Sequence, residues 1–260
     1  TRKNYFYPDL PKGYQITQTG GLPFYDRPVC KNGHLDIELE DGSTKRIRIN
    51  RIHMEEDAGK LIHDLTPTNS HFDANRCGTP LCEIVTEPDL RSAKEAVAYL
   101  TKLKQILQYT GVSDANMEKG NMRADSNISL RKSESDPFGT RAEIKNLTSF
   151  SNLEKATNAE RDLQAITLDS GKEVDQCTKR YDVNANKTIV IRSKEDAHDY
   201  RYFPEPDMVR LKITPAEVDA IRAKLPELPE SRKARYVKDF GITEYDAQVI
   251  TSEKDIADFY

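Results

Sequence analysis

The sequence predicts an α+β fold with a largely antiparallel sheet and flanking helices. Alternating apolar and charged residues predict a β-hairpin early in the chain. Two serine-capped segments predict long helices. The remaining strand-like runs are grouped instead of alternating strictly with helices, which favours an antiparallel sheet over a parallel α/β sheet.

The hairpin is predicted from two runs of alternating apolar and charged residues joined by the turn signal Asp41-Gly42. The charged residues are acids on the first run and arginines on the second, so opposite charges face each other across the pair. After Ile49 the apolar parity shifts, and we therefore expect a β-bulge just before Glu55 and Glu56. The apolar positions are Leu35, Ile37, Leu39, Ile47, Ile49, Ile52 and Met54.

Two long helices are predicted from capping boxes, in which a serine hydroxyl and a following glutamate satisfy free backbone N–H groups. The first begins at Ser92 and ends near Gly111, and the second begins at Ser151 and ends near Gly171. Strand-like runs lie between and after the helices, at residues 127–131, 141–147, 188–192 and 200–213.

The composition changes at Thr214-Pro215. A capping threonine, a proline suited to the first helical turn and Glu217 predict a helix start there. Short helical patterns follow, including residues 231–240 and 252–260. We therefore predict a first domain at residues 1–213 and the start of a helical domain at residues 214–260.

The length and composition of the chain exclude several classes of protein. A chain of 260 residues with 37% hydrophobic and 32% charged residues is typical of a folded, polar globular protein. No apolar run approaches the ~20 residues of a membrane span, and no signal-peptide pattern opens the chain, so a cytoplasmic protein is expected. The net charge of −4 argues against a general nucleic-acid binder.

The four cysteines lack a metal-binding spacing and are expected to be reduced.

The segment His53–Lys60 combines acids, an imidazole, a glycine and a lysine directly after a strand pattern. Carboxylates at a strand end suit a hard cation such as magnesium, and a nearby lysine suits the phosphates that accompany it. The same composition also fits a solvated acidic loop, which is what most acidic runs are. This segment alone leaves both interpretations open.

Four motifs occur in order along the chain: RKNYFYPD at residues 2–9, HMEEDAGK at 53–60, CGTPLCE at 77–83 and DYRYFPEPD at 199–207. With them the chain resembles, from about residue 2 to residue 260, the B subunit of tRNA-dependent amidotransferases. Those enzymes convert Glu-tRNA(Gln) or Asp-tRNA(Asn) into Gln-tRNA(Gln) or Asn-tRNA(Asn). The resemblance implies a catalytic domain of the glutamine synthetase and guanidino kinase type.

The resemblance also implies the reaction, the cofactors and the partners. The side-chain carboxylate of Glu or Asp on a misacylated tRNA(Gln) or tRNA(Asn) is phosphorylated by ATP with Mg²⁺, and ammonia then displaces the phosphate. The ammonia comes from an amidase subunit, which forms a heterotrimer with this protein and a small third subunit. Because the chain has no glycine-rich Walker loop, its ATP site must be of another kind.

Glu56 and Glu83 match family positions that hold magnesium, and Lys12 matches a lysine beside Glu56 where ammonia arrives. The other metal ligands of the family lie in a Gly-Leu-Glu-Val-His segment upstream of Thr1. From this we expect an internal piece of a longer protein that is inactive when assayed alone.

Phosphoryl transfer requires several acids and bases on one surface. Asp125 is a further metal candidate, although its position equally fits a turn cap before a strand. Lys145, which follows Glu143 in a strand pattern, and Arg201 are candidates for both catalysis and ATP binding. Lys145 could also simply end a strand, and the residues around Arg201 could pack in a core.

Three alternatives remain beside this interpretation. The first is the archaeal glutamate-specific relative, which has an inserted domain for which we see no room between Pro206 and Pro215. The second is a non-catalytic scaffold that holds tRNA and the amidase. The third is a stand-alone magnesium-dependent ligase, which the missing ligands and the external ammonia supply disfavour.

Overall fold

The structure, a computed structural model, describes residues 28–57, 60–62, 69, 71–76, 79–193 and 212–260. These residues contain nine strands and six helices. They divide between two compact units. The first unit contains residues 28–36, the described part of 46–89 and residue 212, and the second contains residues 37–45, 90–193 and 213–260. Mixed helices and sheets are consistent with the α+β class, and the resemblance to glutamine synthetase stays a prediction.

A three-stranded sheet has the strand order β1-β2-β5. Its strands are β1 (Cys30–Glu38), β2 (Thr44–Glu56) and β5 (Pro80–Thr86). The predicted hairpin is confirmed, since β1 and β2 are neighbours and Gly42 between them adopts a φ of 78°. Ile37 and Ile47 are fully buried. A separate antiparallel pair is formed by β3 (Lys60–Ile62) and β4 (His71–Asp73).

The bulge in β2 lies earlier than the sequence predicts. The register between β2 and β5 shifts between Ile49 and Arg51, and from Arg51 to Glu56 the ladder is regular. The apolar pattern places Met54 on the buried side, but Met54 is 38% exposed and lies opposite the exposed Cys82. His53 is buried instead. The apolar pattern therefore indicates the wrong buried residue at this strand end.

The second unit is built on a four-stranded sheet in the order β6-β7-β8-β9. The pairing of β7 with β8 is parallel and the other two pairings are antiparallel. The parallel pairing is possible because a long helix, α2 (Phe150–Asp169), connects these two strands. The strands are β6 (Ala124–Ile128), β7 (Ala142–Leu147), β8 (Cys177–Asp182) and β9 (Lys187–Ser193).

The core of this unit lies between the sheet and the helices. Ile144 and Leu147 of β7 form a buried cluster with Leu153 and Ala156 of α2. Helix α1 (Ala93–Tyr109) packs against α2, and three of its residues border the same cluster. Apolar residues of both helices thus contribute to this one core. The bordering residues of α1 are Ala96, Val97 and Leu100.

The first predicted helix is confirmed. Ser92 caps α1 by accepting a hydrogen bond from the backbone N–H of Glu95, and Gly111 follows the helix with a φ of 69°. The second helix begins earlier than predicted. Its cap is Ser149, not Ser151, because Ser149 has the extended backbone that a cap requires and accepts the N–H of Asn152. Gly171, with a φ of 76°, confirms the predicted end.

The predicted strands agree with the structure in part. The runs at 141–147 and 188–192 correspond to β7 and β9, whereas the run at 127–131 is displaced and its strand is β6. Strands β5 and β8 are not among the predicted runs. Of the run at 200–213, residues 200–211 lie outside the described residues, and residues 212–213 are not in a strand.

Four helices complete the second unit: α3 (Pro215–Arg222), α4 (Pro229–Phe240), α5 (Glu244–Thr251) and α6 (Lys254–Phe259). The predicted capping box is confirmed, since Thr214 and Glu217 exchange hydrogen bonds at the start of α3. The division into domains at residue 214 stays a prediction. Across the described ranges, no helix combines the length and apolar character needed to cross a membrane.

Strand β9 forms one edge of the four-stranded sheet. Its residues Val190 and Ile191 are 56% and 53% exposed. Among the described strands β9 has β8 as its hydrogen-bonded neighbour, so its other backbone edge has no partner strand in this part of the chain.

Candidate functional site

The predicted site residues differ in how far the structure describes them. Lys12 and Arg201 lie outside the described residues. Glu56 is described only by its backbone, at the end of β2. The assignments of these three residues therefore stay predictions. Glu83, Asp125 and Lys145 are described in full.

Glu83 lies in β5, in the first unit, and is half-buried. The β2–β5 ladder pairs Glu83 with His53, which is 5% exposed, and pairs Glu56 with Pro80. The two glutamates are thus three ladder positions apart. The shared magnesium ion stays a prediction.

In the second unit, four polar residues of the sheet lie together on the face opposite α2. Glu143 and Lys145 alternate along β7 with Ala142 and Ile144, which are buried on the helix side. The parallel register places Thr178 of β8 beside Glu143. We call the following set the front-face cluster: Asp125, Glu143, Lys145 and Thr178.

Lys145 is the centre of the front-face cluster. Its Nζ lies 3.3 Å from Oε1 of Glu143 and 3.5 Å from Oδ2 of Asp125. Burial works to lower the pKa of Lys145, but the negative charges of Asp125 and Glu143 outweigh it, and the pKa is raised above its ordinary value. Lys145 is therefore a fixed positive charge, and 42% of its side chain remains accessible to a ligand.

Asp125 lies inside β6, at a shift in the register between β6 and β7. Its Oδ1 accepts a hydrogen bond of 3.0 Å from the backbone N–H of Asn146, which adopts a left-handed φ of 59°. Asp125 is thus not a turn cap before a strand, since its carboxylate bridges two strands. Bulges often redirect side chains beside functional sites, and here the irregularity brings Asp125 to Lys145.

Two residues of this face are not site candidates in the sequence analysis. Thr178 donates a hydrogen bond of 3.3 Å to Oε2 of Glu143 and so orients that carboxylate. Arg180 is exposed, and its Cα pairs with that of Lys145. Neither could be recognised because β8 itself is not among the predicted strands. The sequence carries no apolar alternation here, since the residue between Thr178 and Arg180 is Lys179.

The chemistry of the front-face cluster suits a phosphate and its counter-ion. Its carboxylate oxygens are the hard donors that magnesium prefers, and they already converge on a cationic nitrogen. A lysine with an accessible ammonium group suits a phosphate oxygen. Within the residues that the structure describes, no group of three or more His, Cys, Asp or Glu side chains is arranged to hold a metal ion. The cluster thus fits part of such a site.

Comparison with known proteins identifies a family whose members this chain resembles in sequence. The model for the GatB/GatE catalytic domain matches residues 1–219. Over 259 residues the chain is 54% identical to a protein of Solidesulfovibrio magneticus and 53% identical to one of Persephonella marina, each named as the B subunit of an aspartyl/glutamyl-tRNA(Asn/Gln) amidotransferase. A protein of the same name from Macrococcus caseolyticus is 54% identical. Each match covers 100% of this chain and 53% of the relative, so the chain spans about half the length of these curated relatives.

Proposed function

The chain belongs to the GatB/GatE catalytic domain family, and from this we propose that it carries the site at which an amidotransferase activates the side-chain carboxylate of Glu or Asp on misacylated tRNA(Gln) or tRNA(Asn). The activated acid is then amidated to Gln or Asn. The ammonia comes from a partner amidase, with which this protein and a small third subunit form a heterotrimer. The name of the relatives supports this proposal, because it gives an amidotransferase activity together with both amino acids and both tRNAs.

Activation is chemically necessary for amide formation. A carboxylate is a poor acceptor for an amine because hydroxide is a poor leaving group, whereas an acyl phosphate has a stable one. In such phosphoryl transfers the protein mainly positions the reactants and neutralises charge. A site for this step therefore needs fixed positive charge and carboxylate oxygens on one surface.

The observation that carries the proposal is the front-face cluster. In our proposal Lys145 binds a phosphate oxygen through its ammonium group, and Asp125 and Glu143 hold that group in place. Thr178 fixes the second oxygen of Glu143. Bound magnesium would supply additional positive charge at the phosphate, and bound ATP the phosphoryl group.

The remaining roles come from the resemblance. We propose that Glu56 and Glu83 hold magnesium, and, separately, that Asp125 is a metal ligand within the front-face cluster. We propose that Lys12 lies where ammonia reaches the activated acid, and that Arg201 contacts ATP. Glu83, the fully described member of the first pair, is half-buried, which leaves part of its carboxylate open to a cation.

The test of the proposal replaces Lys145 by methionine in the full-length protein assembled with its partners. Lys145→Met keeps the length of the side chain and removes its charge. We expect ATP-dependent formation of the amide on Glu-tRNA(Gln) or Asp-tRNA(Asn) to fall by about a hundredfold, as for other single electrostatic groups in active sites. tRNA affinity, measured by filter binding at a fixed salt concentration, should stay within about twofold.

The matched control is Lys172→Met, because Lys172 is an exposed lysine in the loop that follows α2. This variant should retain full activity. Full activity in Lys145→Met would refute the catalytic role of the front-face cluster. Loss of tRNA binding with an intact rate for bound substrate would favour the scaffold alternative.

A further inference from the structure

Helix α2 presents polar residues to the sheet where a core-facing helix normally presents apolar ones. We call these residues the polar stripe: Thr157, Glu160 and Gln164. Their spacing places them on one side of the helix. Glu160 and Gln164 are 0% and 1% exposed, and Thr157 is 9% exposed.

Each member of the polar stripe is hydrogen-bonded to a strand. Thr157 Oγ1 and Ser126 Oγ of β6 share a bond of 3.1 Å. Gln164 Nε2 donates to the carbonyl of Ile128, also in β6, at 3.1 Å. The stripe therefore holds β6 at two points along the strand.

Glu160 holds the other two strands that the stripe contacts. Both of its carboxylate oxygens lie 2.9 Å from Nζ of Lys179 in β8. The hydroxyl of Thr188 in β9 donates to Oε2 at 2.5 Å. Glu160 also accepts a bond of 2.9 Å from Gln164, which connects the members of the stripe to one another.

The bonded residues are chain neighbours of the front-face cluster. Ser126 follows Asp125 in β6, and Lys179 follows Thr178 in β8. Because successive residues of a strand point to opposite faces, a bond that fixes one residue on the helix side also fixes its neighbour on the front. This matters here because the ladders shift register between Ala124 and Ser126 and between Thr178 and Lys179. At these two shifts the backbone hydrogen bonds between strands do not fix one register. The polar stripe therefore holds β6 and β8 at the places where their alignment most needs support.

We propose that Thr157, Glu160 and Gln164 are positioning residues that set the alignment of β6 and β8, and through it the placement of Asp125 and Thr178 around Lys145. A buried ion pair is weak evidence for stability in itself, because desolvation offsets much of the attraction. In several proteins the benefit of such buried polar groups is that they specify one alignment among several. The role in catalysis rests on the function proposed above, whereas the role in alignment does not.

The test uses Thr157→Val, which replaces a hydroxyl by a methyl group of similar size and breaks the bond to Ser126. The readout is hydrogen exchange of the Asn146 amide, which donates to Asp125 on the front face. We expect this exchange to accelerate by about fivefold, the factor that about 1 kcal/mol represents. Exchange of amides that open by local fluctuation away from β6, measured alongside, should stay unchanged.

Thr167→Val is the matched control, since the hydroxyl of Thr167 donates to the carbonyl of Leu163 within the same helix. It should leave exchange at Asn146 unchanged. Glu160→Gln, with a larger perturbation, should accelerate exchange at Asn146 as well, provided that the variant folds. Equal exchange at Asn146 in Thr157→Val and the parent protein would overturn the proposal. A uniform acceleration across the sheet would also overturn it, since that is the result of a merely structural role.

In the assembled full-length enzyme, Thr157→Val should lower the rate of amide formation by about threefold or more, while Thr167→Val should not. If the assembled parent enzyme showed no ATP-dependent activation of the tRNA-borne acid, the proposed function would be refuted. The hydrogen-exchange result at Asn146 would still decide whether the polar stripe aligns the strands. Selective exchange at Asn146 with an unchanged rate would overturn the catalytic part of this inference.

Discussion

The phenolic hydroxyl of Tyr109, the last residue of α1, donates a hydrogen bond of 2.8 Å to the carbonyl of Thr251, the last residue of α5 and 142 positions further along the chain. Tyr109 is 2% exposed. This bond connects the C-terminal helices to the helix that borders the core of the second unit. It therefore predicts that stability in this unit depends on a contact between distant parts of the sequence.

Replacing Tyr109 by phenylalanine keeps the ring and removes the hydroxyl, which leaves a buried carbonyl without this donor. We expect the free energy of unfolding to fall by about 1–2 kcal/mol. Urea denaturation followed by far-UV circular dichroism measures the change. Tyr245→Phe is the control, because Tyr245 is 77% exposed and should be replaceable without effect. An unaltered midpoint in Tyr109→Phe would show that solvent replaces the bond at no cost.

Tyr99 should behave in the opposite way. It is 4% exposed, and its hydroxyl has no hydrogen-bond partner among the described residues. A buried hydroxyl without a partner costs free energy, so Tyr99→Phe should leave the neutral-pH stability unchanged or raise it by up to about 1 kcal/mol. A clear destabilisation in the same urea experiment would reveal a partner that the described residues do not include.

The same residue predicts a dependence of stability on alkaline pH. Burial raises the pKa of Tyr99 to about 12. Above about pH 10 the unfolded chain releases this proton and the folded protein retains it, so stability falls as pH rises from about 10 to 12, by about 1.4 kcal/mol per unit. Below this window both states are protonated and the residue contributes no slope. The slope should be smaller in Tyr99→Phe, and equal slopes in the two proteins would contradict the assignment.

Glu56→Gln tests the magnesium assignment in the assembled full-length enzyme. The change keeps the shape of the side chain and removes a negative charge. ATP-dependent activation of the tRNA-borne acid should fall by about a hundredfold, which corresponds to ~3 kcal/mol of charge stabilisation. Glutamine hydrolysis in the partner amidase should remain possible. The exposed Glu118 provides the control Glu118→Gln, and unchanged acyl-phosphate formation in Glu56→Gln would favour the scaffold alternative.

Gly139 has no room for a side chain. A Cβ at this position would lie 2.3 Å from the backbone oxygen of Leu130, so the backbone of the loop must move in Gly139→Ala. We expect a loss of about 1–3 kcal/mol in unfolding free energy. Gly33→Ala serves for comparison, since its nearest neighbour, Cβ of Ile49, lies at an ordinary 3.5 Å. Similar melting temperatures for the two variants would contradict this expectation.

Features set by local chemistry are predictable from the sequence. The hairpin turn at Gly42, the cap at Ser92 and the box of Thr214 with Glu217 depend on neighbouring residues, and the structure contains all three. The predicted start of α2 is wrong because Ser149 and Ser151 both have capping chemistry. The choice between them depends on which backbone is extended, and sequence spacing does not contain that information.

Strand β8 could not be predicted for a different reason. Its buried position is occupied by Lys179, so the strand lacks the apolar alternation that identifies half-buried strands. Burial of this lysine is possible only because Glu160 neutralises it from the other side of the core. Without β8, Thr178 cannot be placed beside Glu143. The sequence identifies Lys145 and Asp125 as candidates, but their contact depends on the irregular ladder between β6 and β7.

The exposed edge of β9 has a consequence for handling the protein at high concentration. Among the described strands β9 pairs with β8 alone, and an open strand edge beside exposed apolar residues such as Val190 and Ile191 is a template for adding a strand from another molecule. Purified preparations should therefore lose monodispersity slowly during storage, and faster as the salt concentration rises and screens the surface charges. A lysine in place of Val190 would place a charge at this edge and should slow that loss.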